Sequence, residues 1–145
     1  MSSPNHRRLV QETLRASIGT LAPTPVEIGA AFDVLCVALR KRLQPVFGAV
    51  AVTALFARAV HVESETFAWL ADVLPAGADA CARDGLEALH GQVPPAVLEE
   101  ALGAVLSREI SLLSEFIGDD VVMPLVYEAW ALHARSDALA KGEDL

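Results

Sequence analysis

Glu109 is the residue whose chemistry fits its sequence setting least. At 100° per residue, Leu98, Leu102, Ile110, Leu113, Phe116 and Ile117 define one broad apolar helix face, and Glu109 falls within it, angularly close to Leu102 and Phe116. A carboxyl group placed there needs a partner or stays protonated, and such groups concentrate at functional sites. Arg58, the single charge on the apolar helix expected before it, is one candidate partner, giving a buried polar pair Arg58 and Glu109. His61 is the other. The plainer reading is that Glu109 reaches the rim, or joins an ion pair that only holds helices together.

Other residues able to do chemistry are scattered. His61 and Glu65 could meet at i, i+4, but a divalent metal needs at least one more protein ligand, and no HExxH or ExxH pattern supplies it. No metal site and no cofactor are therefore expected. A nucleophile-elbow sequence, a P-loop and a GxGxxG stretch after a strand are all missing, so no catalytic residue is assigned. Cys36 and Cys81 stand apart from each other and from any ligand spacing, and Cys36 reads as a buried free thiol. His6, His90 and His133 occupy polar or terminal contexts and are expected to be solvated. Asp119 and Asp120 would repel an anion and read as capping residues.

Beside the face that carries Glu109 runs a ridge of small residues, Gly103, Ser107, Ser111 and Ser114, at spacings of four, four and three. Such a ridge lets a second helix backbone approach closely, either within the chain or across a two-fold dimer. Trp69, Tyr127 and Trp130, with His61, complete the residues that could line a pocket or an interface.

These groups must be positioned by helices. Apolar residues recur at three and four, with no alternation, so the chain reads as all-α: a single-domain bundle of about five to seven helices over residues 1–145, frayed over 1–5 and 136–145. A first helix is expected from about His6 to Ser17. Thr24, Pro25 and Glu27 form a capping box with proline at the first helical position, opening a helix to about Gln44, where Pro45 breaks it. From Leu43 to Ala57 fifteen residues carry no charge, and a helix over about 47–62 reads as the apolar centre of the bundle. Ser64 then caps a segment from Glu65 to about Val73, and a short helix is expected from Asp79 to His90. Pro95 opens the longest helix, ending near Ile117 at Gly118. The last helix starts between Asp120 and Pro124 and reaches about Ala134. No internal repeat is visible.

Composition narrows the function classes. A formal net charge of -8 opposes a general nucleic-acid binder, which needs cations to displace counterions from phosphates. The cluster Arg40, Lys41 and Arg42 reads as a solvated helix end complementing the dipole. Hydrophobic residues make up 53% of the chain, yet the apolar run is shorter than the roughly 20 residues a span requires. The N-terminus lacks a secretory apolar region, which points to the cytoplasm.

The segments LRKRLQPVFGAVAVTALFARAVHV, FAWL and LLSEFIGDDVVMPLVYEAW together resemble a family of small, uncharacterised all-helical bacterial proteins and domains. The resemblance covers about Phe32 to Trp130, outside Pro75 to Pro94, and implies a cytoplasmic bacterial helical domain with no activity to carry over. The expected function is a non-enzymatic, self-associating interaction or regulatory module, a homodimer or a binder of another protein. The alternative is a helical bundle that holds a small apolar molecule or lipid near Arg58, Glu109, Trp69 and Trp130. An enzyme, the third reading, would require Glu109, His61 and Arg58 to converge.

Overall fold

The computed structural model describes residues 4–20, 22–74 and 92–140, with side chains as far as residue 131. Among the described residues there are six helices and no strand: α1 (Pro4–Ile18), α2 (Pro25–Phe47), α3 (Ala49–Glu63), α4 (Leu70–Val73), α5 (Pro95–Ile117) and α6 (Asp119–Ala140). The chain is an all-α single-domain bundle. The helix expected over Asp79 to His90, and with it Cys81 and His90, lies outside the described residues, as does the side chain of His133.

Local chemistry sets the boundaries. At the start of α2 the Glu27 N–H donates to Thr24 Oγ1 at 3.2 Å, and the Thr24 N–H donates to Glu27 Oε1 at 2.9 Å, which satisfies two backbone donors that no helical carbonyl can reach. Pro45 does not end α2. It sits in the last turn, where its missing N–H forfeits one hydrogen bond at a helix end, and the helix continues to Phe47. The break falls instead at Gly48, with φ +88° and ψ 150°, a conformation essentially confined to glycine. Gly118 ends α5 in the same way, with φ +102° and ψ 147°. In α6 the helix begins at Asp119, passes through Pro124 and runs to Ala140, six residues beyond the expected end. Ser64 does not open a helix; its hydroxyl donates to the His61 carbonyl at 2.7 Å and closes α3. Of the segment expected from Glu65, only the turn Leu70–Val73 is helical.

The bundle also contains a repeat that residue identities conceal. Pro25 and Pro95 each open a helix of 23 residues, and Gly48 and Gly118 each join it to the next helix through a single residue. With an offset of seventy, buried positions coincide: Ile28 with Leu98, Phe32 with Leu102, Leu35 with Val105 and Leu43 with Leu113. The second helices follow suit, pairing Val52 with Val122, Phe56 with Val126, Ala59 with Ala129 and Val60 with Trp130. Tertiary pairing obeys the same relation. α2 packs on α6, α5 packs on α3, and α2 meets α5 between them, as in two hairpins exchanged by an approximate two-fold axis.

Helix directions follow from the cross-links. Arg42, late in α2, pairs with Glu128, near the middle of α6, and Leu35, earlier in α2, meets Trp130, later in α6, while Glu63 at the end of α3 meets Arg108 in the middle of α5. α2 and α6 therefore run antiparallel, and by the repeat so do α5 and α3, which places the two glycine corners at one end of the bundle.

The centre is occupied by α5, which packs against α1, α2, α3 and α6. The charge-free run that reads as central gives α3, which buries only one face, with Val52, Phe56, Ala59, Val60 and Glu63, and leaves Val50 86% exposed. Its alanines and Thr53 make it uncharged without making it buried all round.

Candidate functional site

Glu109 is buried, on the face of α5 that meets α2. It occupies the position that Leu39 fills in the first hairpin, so a carboxyl group stands where the repeat calls for an apolar side chain. Burial pushes its pKa up to about 8, with the Arg40 guanidinium pulling the other way. At neutral pH the group is predominantly the neutral acid. Cys36 sits in the same seam, its thiol pushed up to about 12 by burial first and by Glu109 second, so it is no nucleophile at physiological pH.

The cation whose field acts on Glu109 is thus Arg40, one turn along α2 from Cys36. Arg58 is exposed on α3 and His61 is exposed at that helix's end. The expected pairing of Arg58 with Glu109 places the right carboxyl group in the core and the wrong cation beside it.

A buried charge pair elsewhere was not visible in the sequence. Arg108 donates through Nε to Glu63 Oε2 at 2.8 Å, with side chains 17% and 11% exposed, and clamps α3 to α5. Both residues stand at the edges of apolar stripes, where charge ordinarily reads as solvated.

The small-residue ridge serves α1. A Cβ built on Gly103 would lie 2.5 Å from Gln11 Nε2, and Ser111 Oγ is 2.8 Å from His6 Nδ1. The ridge is therefore covered from within the chain. His6 itself is buried, contrary to its polar sequence context, because α1 carries it into the groove between this ridge and the α5–α6 corner. Its Nε2 lies 3.0 Å from Asp119 Oδ1; a carboxylate only accepts, so Nε2 carries the proton there, and in the neutral ring Nδ1 accepts from the Ser111 hydroxyl. The Asp119 carboxylate lies below its usual range, with the Ser114 hydroxyl close by and the His6 ring donating to it.

Serine, histidine and aspartate in sequence invite comparison with a hydrolytic triad, but accessibility runs the opposite way. Ser111 lies at the buried end and Asp119 at the solvent end. The three groups fasten α1 to the corner. His6→Ala removes both contacts that fasten α1 here, to Ser111 and to Asp119, and is expected to cost about 1–3 kcal/mol. Hydrogen exchange accelerating in α1 ahead of α5 is the outcome that matches this role; uniform protection would contradict it.

The remaining candidates lie apart. Trp130 is buried on α6 and donates from Nε1 to the Leu35 carbonyl of α2 at 3.2 Å. Trp69 is half-buried, edge-on to Phe67 with ring centroids 6.1 Å apart. Tyr127 is exposed. Between α1 and the start of α5 lies a shallow open cleft of about 480 Å³, lined by Pro4, Arg7, Arg8, Ala96, Glu99 and Glu100 among others. Among the described residues no three His, Cys, Asp or Glu side chains gather as metal ligands, and no helix is long and apolar enough to cross a membrane.

Among the described residues, five of the nine exposed large apolar side chains stand next to the two glycine corners. Val46 and Phe116 are equivalent in the repeat and both lie on the core-facing side of their helices, one turn past the last buried residue. Phe116 is 80% exposed there, although its helical face is otherwise buried. Val50, beside Gly48, and Ile117 and Val121, beside Gly118, are exposed as well.

Comparison with protein-family models, with curated proteins and with solved structures finds no match to this chain. The resemblance to small helical bacterial proteins rests on the quoted segments alone.

Proposed function

We propose that this chain is a non-enzymatic helical interaction module whose docking face is the bundle end around Gly48 and Gly118, where it meets another protein. The observation that carries this reading is Phe116: an aromatic ring 80% exposed, beside Ile117 and equivalent in the repeat to Val46, which is exposed at the other corner. Exposed apolar side chains gathered at one place mark interaction surfaces, whereas single ones scattered over a protein need no explanation. Aromatic rings are also the side chains most often found at the energetic centre of an interface. The self-associating form of the module had its best seam in the small-residue ridge, and α1 of the same chain fills that seam.

The test is photo-crosslinking in cells from position 50, at the bundle end, against position 26 at the start of α2. A defined protein adduct from position 50 alone is expected. With that partner purified, Phe116→Ser should weaken binding about thirtyfold, a loss typical of a hot-spot aromatic, while changing folding stability by less than about 0.5 kcal/mol. Identical adducts from both positions, or undiminished binding by Phe116→Ser, would overturn the reading.

A further inference from the structure

The two halves of the docking face differ in a way that describes the partner. At equivalent places the first corner carries Pro45, Ala49 and Val50, and the second carries Glu115, Asp119 and Asp120. The repeat thus sets an uncharged apolar half beside an apolar half ringed by carboxylates. Glu115, Asp119 and Asp120 are all exposed; Asp119, although it accepts from the His6 ring, remains 61% exposed itself. The nearest arginine along α2, Arg42, is committed to Glu128.

From this asymmetry, and resting on the bundle end being the docking face, we infer that the partner is a protein segment with an apolar face edged on one side by lysine or arginine. Its apolar side chains cover Val46, Val50 and Phe116, and its cations meet Glu115 and Asp120. Charge complementarity of this kind raises the rate of encounter and rejects partners of the wrong sign. A second copy of this chain fits poorly, because two surfaces bearing these carboxylates, on chains of net charge -8, would meet like to like. An anionic membrane surface is disfavoured for the same reason.

The experiment uses the full chain and two labelled synthetic helices, one with leucine on one face and lysine on the other, the second with glutamate in place of lysine. Fluorescence anisotropy should show binding of the lysine probe only. The charge-neutral change Phe116→Ser should weaken it at least about tenfold, and Glu115→Gln with Asp120→Asn about three- to tenfold, the latter effect shrinking as salt rises. Asp119 is left intact so that the His6 fastening is undisturbed. Equal binding of the lysine probe by the wild-type protein and Phe116→Ser would mean diffuse attraction to an acidic chain, and both the docking face and its charge preference would fall. Weakening by Phe116→Ser with no preference between the probes would keep the docking face and overturn the charge inference. A dimer in sedimentation equilibrium that Phe116→Ser converts to monomer would assign the face to a second copy and overturn it as well.

Discussion

Glu109→Leu is expected to stabilise the protein at pH 7 and to remove a pH dependence that the wild-type chain carries between about pH 4.5 and pH 8. The sign follows from the two protonation states. In the unfolded chain Glu109 titrates near 4.5, whereas burial raises it to about 8 in the fold. Below 4.5 both forms hold the proton and the group is neutral to the balance. As pH rises through this window the unfolded chain releases its proton while the folded chain keeps it, so stability falls by at most about 1.4 kcal/mol per pH unit from this group. Above about pH 8 both forms are ionised and the loss is complete. Leucine restores the side-chain type found at the equivalent Leu39, and Arg40, only half-buried, can turn its guanidinium toward water. Replacing a whole buried ion pair by apolar side chains is neutral or stabilising by about 1–4 kcal/mol, and because Glu109 holds its proton at pH 7 the single change breaks no ion pair and should gain at the lower end of that range. Urea unfolding at a series of pH values from 5 to 9 measures both effects, and the difference between variants isolates Glu109 from the other carboxylates. Parallel curves for wild type and Glu109→Leu would contradict the buried neutral acid. Glu109→Gln should flatten the difference curve without the full gain, since an amide keeps a polar group in the seam.

Breaking the Glu63–Arg108 pair should have the opposite consequence. Each side chain is largely shielded from water, and the pair spans α3 and α5, so Glu63→Ala leaves a guanidinium without its carboxylate inside the bundle. The expected loss is about 3–5 kcal/mol, a large fraction of the roughly 5–15 kcal/mol by which domains are stable. The double change Glu63→Ala with Arg108→Ala removes the stranded charge and should recover part of that loss. A double-mutant cycle in urea gives the coupling directly: a value above about 1 kcal/mol is expected, and additivity within about 0.5 kcal/mol would show that solvent already separates the pair. Arg42 and Glu128, far more exposed, should give the small coupling usual for a surface pair.

Local signals in the sequence were sufficient for much of this architecture. The capping box at Thr24, the prolines opening α2 and α5, and the glycine ending α5 act through nearest neighbours, and each boundary follows from them. The place of Glu109 on the apolar face was likewise legible from helical register alone, which did not decide between burial and the rim. Which cation lies beside it was not, since Arg40 reaches that seam only through the packing of α2 on α5. Phe116 belongs to the same face as Leu113 and is exposed because the bundle stops there, which periodicity does not encode. His6 escaped for a related reason: its neighbours Asn5, Arg7 and Arg8 are polar, and its burial depends on a groove built more than a hundred residues later. The repeat was hidden because packing preserves burial rather than identity, so Phe32 and Leu102, or Val60 and Trp130, look unrelated until their places are known.

That repeat explains how one buried acid can exist at all in this seam. Two identical hairpins joined as separate chains would present every position twice about their axis, so a glutamate at the Leu39 place would also appear at the Glu109 place, and two buried carboxyl groups would share one interface. Carrying both hairpins on a single chain lifts that constraint, leaving one half free to keep the greasy contact while the other holds a lone proton.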